Sequence, residues 1–376
     1  MQTVKKDTSL QELQRYGQSL WLDYIRRDMV RSGHLKELIE RYGIRGVTSN
    51  PAIFEKAIDD SNDYDEDIRE LIGQGRSAQE IYQILTVQDI QEAADVLRPL
   101  YDSTQGRDGF VSLEVSPYLA HDTEATILEA RQLWKKVNRP NLLIKIPATA
   151  EGLPAIRQCI SEGININVTL IFGLPTYMKV ATAYIEGLEL RFEQGKTIGR
   201  VASVASFFLS RIDVLVDKML DNAIDEGNYP EIAQSLHGRV AVSCAKVAYQ
   251  MYKEIFGSDK FRKLADNGAR SQRLLWASTG TKNPSYSDVR YVEPLIGPET
   301  VNTMPLQTVE AYRDHGHPAA RLEDNAAEAD HLLARLSDVG IRMNDVTSQL
   351  EAEGIEKFIK PYDSLIERLK KKGAAA

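Results

Sequence analysis

The 376-residue chain has only two cysteines, Cys159 and Cys244, far apart and without C-x-x-C spacing, which argues against a disulfide framework or a cysteine zinc site. A reducing cytoplasm is the compartment that this usage implies. Histidine is also scarce. The one close pair, His315-Gly316-His317, lies in a polar stretch before Pro318 with no third ligand at usable spacing, so it reads as surface loop and no metal is expected. Gly73-Gln74-Gly75 does not extend to a G-x-G-x-x-G or P-loop signature, which disfavours nucleotide binding. Long apolar runs are missing, and the opening Met1-Gln2-Thr3-Val4-Lys5-Lys6 leads into polar residues, so neither a signal peptide nor a membrane anchor is expected. Positive charge is in deficit: 46 lysines and arginines face 54 acidic residues, a net charge of -8, and the sole basic run is Lys370-Lys371-Lys372. Nucleic acid and anionic membranes are therefore poor partners, whereas a small anion is not excluded, because a few cations converging in one cleft outweigh a diffuse negative surface.

Hydrophobic residues make up 43% and charged residues 27%, the balance of an ordinary globular chain able to bury a large core. The length exceeds the ~250 residues of a typical barrel. Short apolar runs alternate with amphipathic stretches, the pattern of βα units around a parallel sheet. Eight candidate strands can be read, at 20–25, 46–49, 110–115, 141–146, 164–172, 200–205, 273–277 and 300–304. Stretches such as Thr123–Val137, with Ile127, Leu128, Leu133 and Trp134 among charged residues, predict covering helices. Eight strands favour closure, so the fold class is α/β, a (β/α)8 TIM barrel. Two long connections, 51–109 and 207–272, carry helical patterning at 78–97 and 209–226 and read as helical insertions. The segment 318–376 reads as C-terminal helices that pack across the barrel. With no Gly/Ser-rich or Pro-rich linker and no internal repeat, residues 1–376 are expected to form one domain.

Several candidate strands end in residues of a catalytic type. Asp23 follows Trp21-Leu22, and Gly46-Val47-Thr48-Ser49-Asn50-Pro51 ends in hydroxyls and an amide. Glu114 closes Val111-Ser112-Leu113, Asn167-Val168-Thr169 and Ser203-Val204-Ala205-Ser206 continue the series, and Lys145 sits inside Leu142-Leu143-Ile144-Lys145-Ile146. In a (β/α)8 barrel such strand ends converge on one mouth. A lysine in an apolar run is unusual. Burial favours the neutral amine, which attacks carbonyls to form Schiff bases. The competing reading is a buried salt bridge to Glu114 or Asp23. Either carboxylate could handle the protons of imine formation and carbon-carbon cleavage. Cys244 reads as a core residue, and Trp276, Tyr286 and Tyr291 as packing or rim aromatics.

Gly46 to Pro51, Leu143-Ile144-Lys145-Ile146-Pro147-Ala148-Thr149, Asn165-Ile166-Asn167-Val168-Thr169-Leu170-Ile171-Phe172 and Val204-Ala205-Ser206-Phe207-Phe208-Leu209-Ser210-Arg211-Ile212-Asp213 together, in this order, resemble the transaldolase family over about residues 20–305. The resemblance implies a barrel enzyme of the non-oxidative pentose phosphate pathway, and a protonated lysine imine that accepts the electrons of the breaking bond would need no metal or organic cofactor. It would move a dihydroxyacetone unit from sedoheptulose 7-phosphate to glyceraldehyde 3-phosphate, giving erythrose 4-phosphate and fructose 6-phosphate. Carried over, Lys145 is similar to the Schiff-base lysine and Asp23 to the acid/base of cleavage. Glu114 and Thr169 match the pair that activates water, and Asn50, Asn167, Thr48 and Ser206 the polar wall around the dihydroxyacetone hydroxyls. Arg211, Ser278 and Lys282 match phosphate ligands. The stretch Trp276 to Asn283 is two residues longer than the family's common Ala-Ser-Phe-Arg/Lys pattern, and Ala52-Ile53 stands where Ser-Leu is common. The partners implied are small phosphorylated sugars; a homo-oligomer is compatible with the sequence. An aldolase that cleaves fructose 6-phosphate without transfer, and a non-catalytic sugar-phosphate-binding barrel, are the alternatives.

Overall fold

Eight parallel strands close into a barrel in chain order: β1 (Gln18–Leu22), β2 (Gly46–Val47), β3 (Phe110–Glu114), β4 (Leu142–Pro147), β5 (Ile166–Ile171), β6 (Ser203–Phe208), β7 (Arg273–Ala277) and β8 (Thr300–Met304). The computed structural model describes residues 8–374. The polar opening Met1 to Lys6 lies outside the described residues. Closure is made by β8 pairing with β1, from Gln18 opposite Thr300 to Leu22 opposite Met304. Strands flanked by neighbours inside and helices outside bury both faces, which is why Leu142, Leu143, Ile144 and Ile146 read as a continuous apolar run and are fully buried. Among the described residues no helix is long and apolar enough to cross a membrane.

The eight strands match the eight runs of the sequence, with ends displaced by up to three residues. The sixth is Ser203–Phe208 in place of 200–205, since a turn closed by Val201 N donating to Ile198 O occupies the earlier positions. Asp23 lies just beyond β1 instead of inside 20–25, although its amide still donates to Met304 O at 2.8 Å. β2 stops early because Asn50 caps the next helix: its Oδ1 accepts from Ile53 N at 3.0 Å and Pro51 takes the first helical position.

The first insertion consists of helices Pro51–Asp59, Asp65–Gly73 and Ala78–Ser103. The last is opened by a reciprocal cap in which Ser77 Oγ accepts from Glu80 N and Ser77 N donates to the Glu80 carboxylate. It is pinned to the barrel by buried Arg27, whose Nε is 2.8 Å from Asp89, while Tyr64 donates to the same carboxylate at 2.7 Å. The second insertion holds Ser210–Asp225, Pro230–Leu236, Val240–Phe256 and Asp259–Ala265. After β8 come Leu306–His315, Ala326–Ala334 and the 32-residue helix Met343–Ala374. This final helix packs on Pro51–Asp59, Ala78–Ser103 and Ser210–Asp225, so it straps the end of the barrel where strands finish.

Gly152 sets the exit from β4. A Cβ there would stand 2.0 Å from Pro147 O, and a backbone oxygen in a strand cannot move aside as a flexible side chain would. Gly152→Ala is therefore expected to cost about 2–3 kcal/mol by overpacking, read as a lower denaturant midpoint at unchanged slope. An unchanged midpoint would show that the turn after β4 yields freely.

Candidate active site

Side chains alternate along a strand, so one register places Ser112 and Glu114 of β3, Lys145 of β4, Asn167 and Thr169 of β5 and Ser206 and Phe208 of β6 toward the barrel interior. Glu114 pairs with Lys145 across the β3/β4 ladder, and Lys145 with Asn167 across β4/β5. At the strand ends lies a cavity of about 180 Å³ lined by Asp23, Thr48, Asn50, Lys145, Thr169, Ser206, Arg211, Ser278 and Lys282. Nine of the eleven residues singled out by sequence thus meet in one place. Glu114 and Asn167 stand immediately behind the wall.

Lys145 is 5% exposed. Its Nζ donates to Ser49 O at 3.0 Å and lies 3.3 Å from Glu114 Oε2, so of the two carboxylates considered as partners it is Glu114 that forms the ion pair. That approach is Coulombic and poorly aligned. Glu114 Oε2 and Thr169 Oγ1 are both buried polar atoms with no hydrogen-bond partner, which in a folded protein calls for an explanation. Burial pushes the Glu114 carboxyl above its usual range, with the Lys145 charge pulling the other way. Burial also raises Asp23, against the Thr48 hydrogen bond and the charges of Lys145, Arg211 and Lys282. Thr48 Oγ1 donates to Asp23 Oδ1 at 2.6 Å, and Thr303 Oγ1 lies 2.8 Å from Thr48. With its proton committed to the carboxylate, Thr48 accepts from Thr303, and the chain holds Asp23 in one orientation.

The strand becomes irregular next to Thr169. The β5/β6 register shifts between Val168 and Ile171, and Leu170 adopts a left-handed φ of 59°. A bulge at a barrel rim re-aims one side chain, at a backbone cost of about 1–2 kcal/mol for a residue with a Cβ. Asn167 is fully buried and its amide is occupied on both sides: Nδ2 donates to Ser112 Oγ at 3.0 Å and Oδ1 accepts from Ser206 Oγ at 2.7 Å. It therefore supports Ser206 from beneath. Asn50 uses its side-chain carbonyl as a helix cap and lines the cavity.

The cationic end is built by the turns after β6 and β7. Arg211 opens the helix after β6, with its guanidinium carbon 5.4 Å from the Phe208 ring centre and Nη1 buried without a partner. Burial lowers its pKa, opposed by Glu353, Asp23 and Glu114. Ser278 takes a left-handed φ of 55°, and its Oγ is 2.9 Å from Ser210 Oγ. In the extended turn Thr279 Oγ1 points away and donates to Thr303 O at 2.9 Å, whereas Lys282 reaches the cavity. Three cations, Lys145, Arg211 and Lys282, outnumber the two carboxylates at the site, so the local field is positive in a protein of net charge -8.

Sequence reasoning missed Thr303, Phe208 and Phe358, all of which line the cavity. Thr303 carried the same signal as the others, a polar residue at a strand end. Phe358 lies in the segment 318–376, which reads only as helices packing across the barrel. Trp276 and Cys244 are buried in the core, and Tyr291 is buried with its hydroxyl donating to Asp213 at 2.9 Å. His315 is exposed and contacts Asp288 and Asp314. Among the described residues no group of three or more His, Cys, Asp or Glu is arranged to hold a metal ion.

A family model described as Transaldolase/Fructose-6-phosphate aldolase matches residues 20–369. The chain is 49% identical over 369 residues to Transaldolase 2 of Nostoc sp. (strain PCC 7120 / SAG 25.82 / UTEX 2576), covering 96% of this chain and 97% of that protein. It is 49% identical over 368 residues to the transaldolase of Trichodesmium erythraeum, again covering 96% and 97%. It is 48% identical over 365 residues to that of Saccharopolyspora erythraea, covering 97% of each. An eight-stranded parallel barrel with a buried lysine at its mouth, matched over nearly its whole length, makes this chain a member of the transaldolase/fructose-6-phosphate aldolase family.

Proposed function

We propose that the protein is a transaldolase that carries dihydroxyacetone on Lys145 from sedoheptulose 7-phosphate to glyceraldehyde 3-phosphate, releasing erythrose 4-phosphate and fructose 6-phosphate. The observation that carries this reading is a buried lysine held between an ion-paired carboxylate and a cavity that contains a second one. The Lys145 amine adds to the ketose carbonyl once its proton has passed to Glu114, whose burial favours the neutral acid. Glu114 and Thr169, each with a buried oxygen that has no hydrogen-bond partner, hold the water lost in imine formation and regained in hydrolysis. Asp23 takes the hydroxyl proton next to the breaking carbon-carbon bond, and the electron pair enters the protonated imine. The iminium is itself the electron sink, so the chemistry calls for no metal. Thr48, Asn50 and Ser206, backed by Asn167, hold the fragment's hydroxyls, while Arg211, Ser278 and Lys282 hold the phosphate. On this reading residues 1–376 work as one barrel unit in the cytoplasm on small phosphorylated sugars.

Incubation with sedoheptulose 7-phosphate and glyceraldehyde 3-phosphate in the presence of a chelator is expected to yield equimolar erythrose 4-phosphate and fructose 6-phosphate. Absence of both products would reject the proposal. Arg211→Ala is expected to raise KM for the phosphorylated donor roughly 10- to 100-fold, the worth of a charge-assisted hydrogen bond, with little change in kcat. An equal effect on unphosphorylated fructose would show that Arg211 is not reading phosphate.

A further inference from the structure

We infer that Phe358 keeps the enzyme-bound three-carbon fragment available for transfer by covering the Lys145 nitrogen against solvent. The inference rests on the Schiff-base reading above and adds to it the residue that decides between transfer and loss of the fragment.

Once the aldose phosphate has left, the fragment is an enamine on Lys145. An incoming aldehyde restores a carbon-carbon bond. Water competes: its proton forms a C–H bond at the enamine carbon while the carbon-carbon double bond becomes the carbon-nitrogen double bond of the iminium. The hydroxide adds to the iminium carbon, the carbon-nitrogen bond breaks as the carbinolamine proton returns to nitrogen, and dihydroxyacetone leaves a free amine. Nothing but one water is consumed. The enzyme must therefore restrict water around Lys145 for as long as the enamine waits.

Phe358 is placed to do so. It lines the same cavity as Lys145, its ring centre is 5.7 Å from Nζ, and it is 5% exposed. It comes from the helix Met343–Ala374, which straps the mouth, and not from a strand end. The helix is fixed on both sides of it. Before it, Gly354 lies so close to β5 that a Cβ there would stand 3.0 Å from Leu170 Cδ2. After it, Tyr118 donates to Asp363 at 2.7 Å, Tyr362 packs edge-on against Tyr82 with ring centres 5.2 Å apart, Arg368 pairs with Asp59, and Lys372 Nζ is 2.6 Å from Asp65. An anchored helix holds the ring over the amine without paying ordering entropy at each turnover. The ring is also within cation–π range of the nitrogen, which favours the protonated imine. Glu114 and Thr169, which handle the water of productive imine hydrolysis, belong to β3 and β5, so removing Phe358 opens solvent access and leaves that pair in place.

The test measures dihydroxyacetone released against fragment transferred, from fructose 6-phosphate with an aldose-phosphate acceptor, in wild type and in Phe358→Leu, Phe358→Val and Phe358→Ala. Each ratio is normalised to Lys145 trapped by borohydride, so that only folded, imine-forming enzyme is counted. The ratio is expected to rise as the side chain shrinks, by about threefold or less for leucine and roughly tenfold or more for alanine, with transfer still detectable. A ratio unchanged across the series while trapping is normal would overturn the role of Phe358 and leave the Schiff-base reading intact. A wild-type enzyme that cannot be trapped at all would overturn both.

Discussion

Lys145→Met should lose turnover by a factor on the order of 10⁵ or more, since the covalent intermediate has no other amine in the cavity to form on except the exposed Lys282. Borohydride reduction with fructose 6-phosphate should add the fragment's mass to the peptide carrying Lys145 in the wild type and to none in the variant. Methionine fills most of the lysine's volume, so the effect does not come from a cavity. What it removes is the charge 3.3 Å from Glu114. A buried carboxylate without its cation protonates, so Glu114 should be neutral over a wider pH range in the variant than in the wild type. Retention of more than about 1% of turnover, or an adduct mapped to a different lysine, would remove the mechanism.

Asp23→Asn should lower kcat by about 10²- to 10⁴-fold, the range of a positioned general base, and still permit trapping on Lys145 because imine formation precedes cleavage. Asparagine can accept from Thr48 as aspartate does, so the Thr303, Thr48, Asp23 chain keeps its geometry. The wild-type pH profile should carry an acid limb above the ordinary aspartate value of about 3.9, because burial raises Asp23, and the variant should lack it. Stability should move in the opposite sense to activity. A carboxyl whose pKa is raised by folding binds more protons in the folded state; its contribution is fully favourable below the unfolded pKa and is lost as pH rises through the folded pKa. Asp23→Asn escapes that loss. It should be more stable than wild type at pH 8, with the difference shrinking as the pH falls toward 4. A variant equally unstable at both pH values would show that Asp23 is held for structure, and a variant that cannot be trapped would move its role to imine formation.

Both residues stand out in the sequence alone, for a physical reason. In a parallel barrel each strand is buried on two faces, so a lysine or carboxylate inside an apolar run has few structural explanations, and the strand order brings every such end to one mouth. The eight strands followed from short apolar runs, the two insertions from helical patterning, and six cavity residues from residue type at the strand ends, whereas Arg211, Ser278 and Lys282 came from the family resemblance. Strand ends were less legible, because caps such as Asn50 and turns such as that at Val201 compete for the same few residues.

Only the tertiary structure decided which groups pair. Lys145 could have met Asp23 or Glu114; adjacency of β3 and β4 in register selected Glu114. Asn167 looked like a wall residue, but Ser112 and Ser206, distant in sequence, occupy its amide. In the lengthened turn Thr279 is taken by Thr303 O, and that bond, not the local spacing, leaves Lys282 for the cavity. Phe358 shows the limit most clearly. The apolar stripe of Met343–Ala374 says that one face is covered, and a stripe reads the same whether it covers a hydrophobic core or a buried lysine more than two hundred residues earlier.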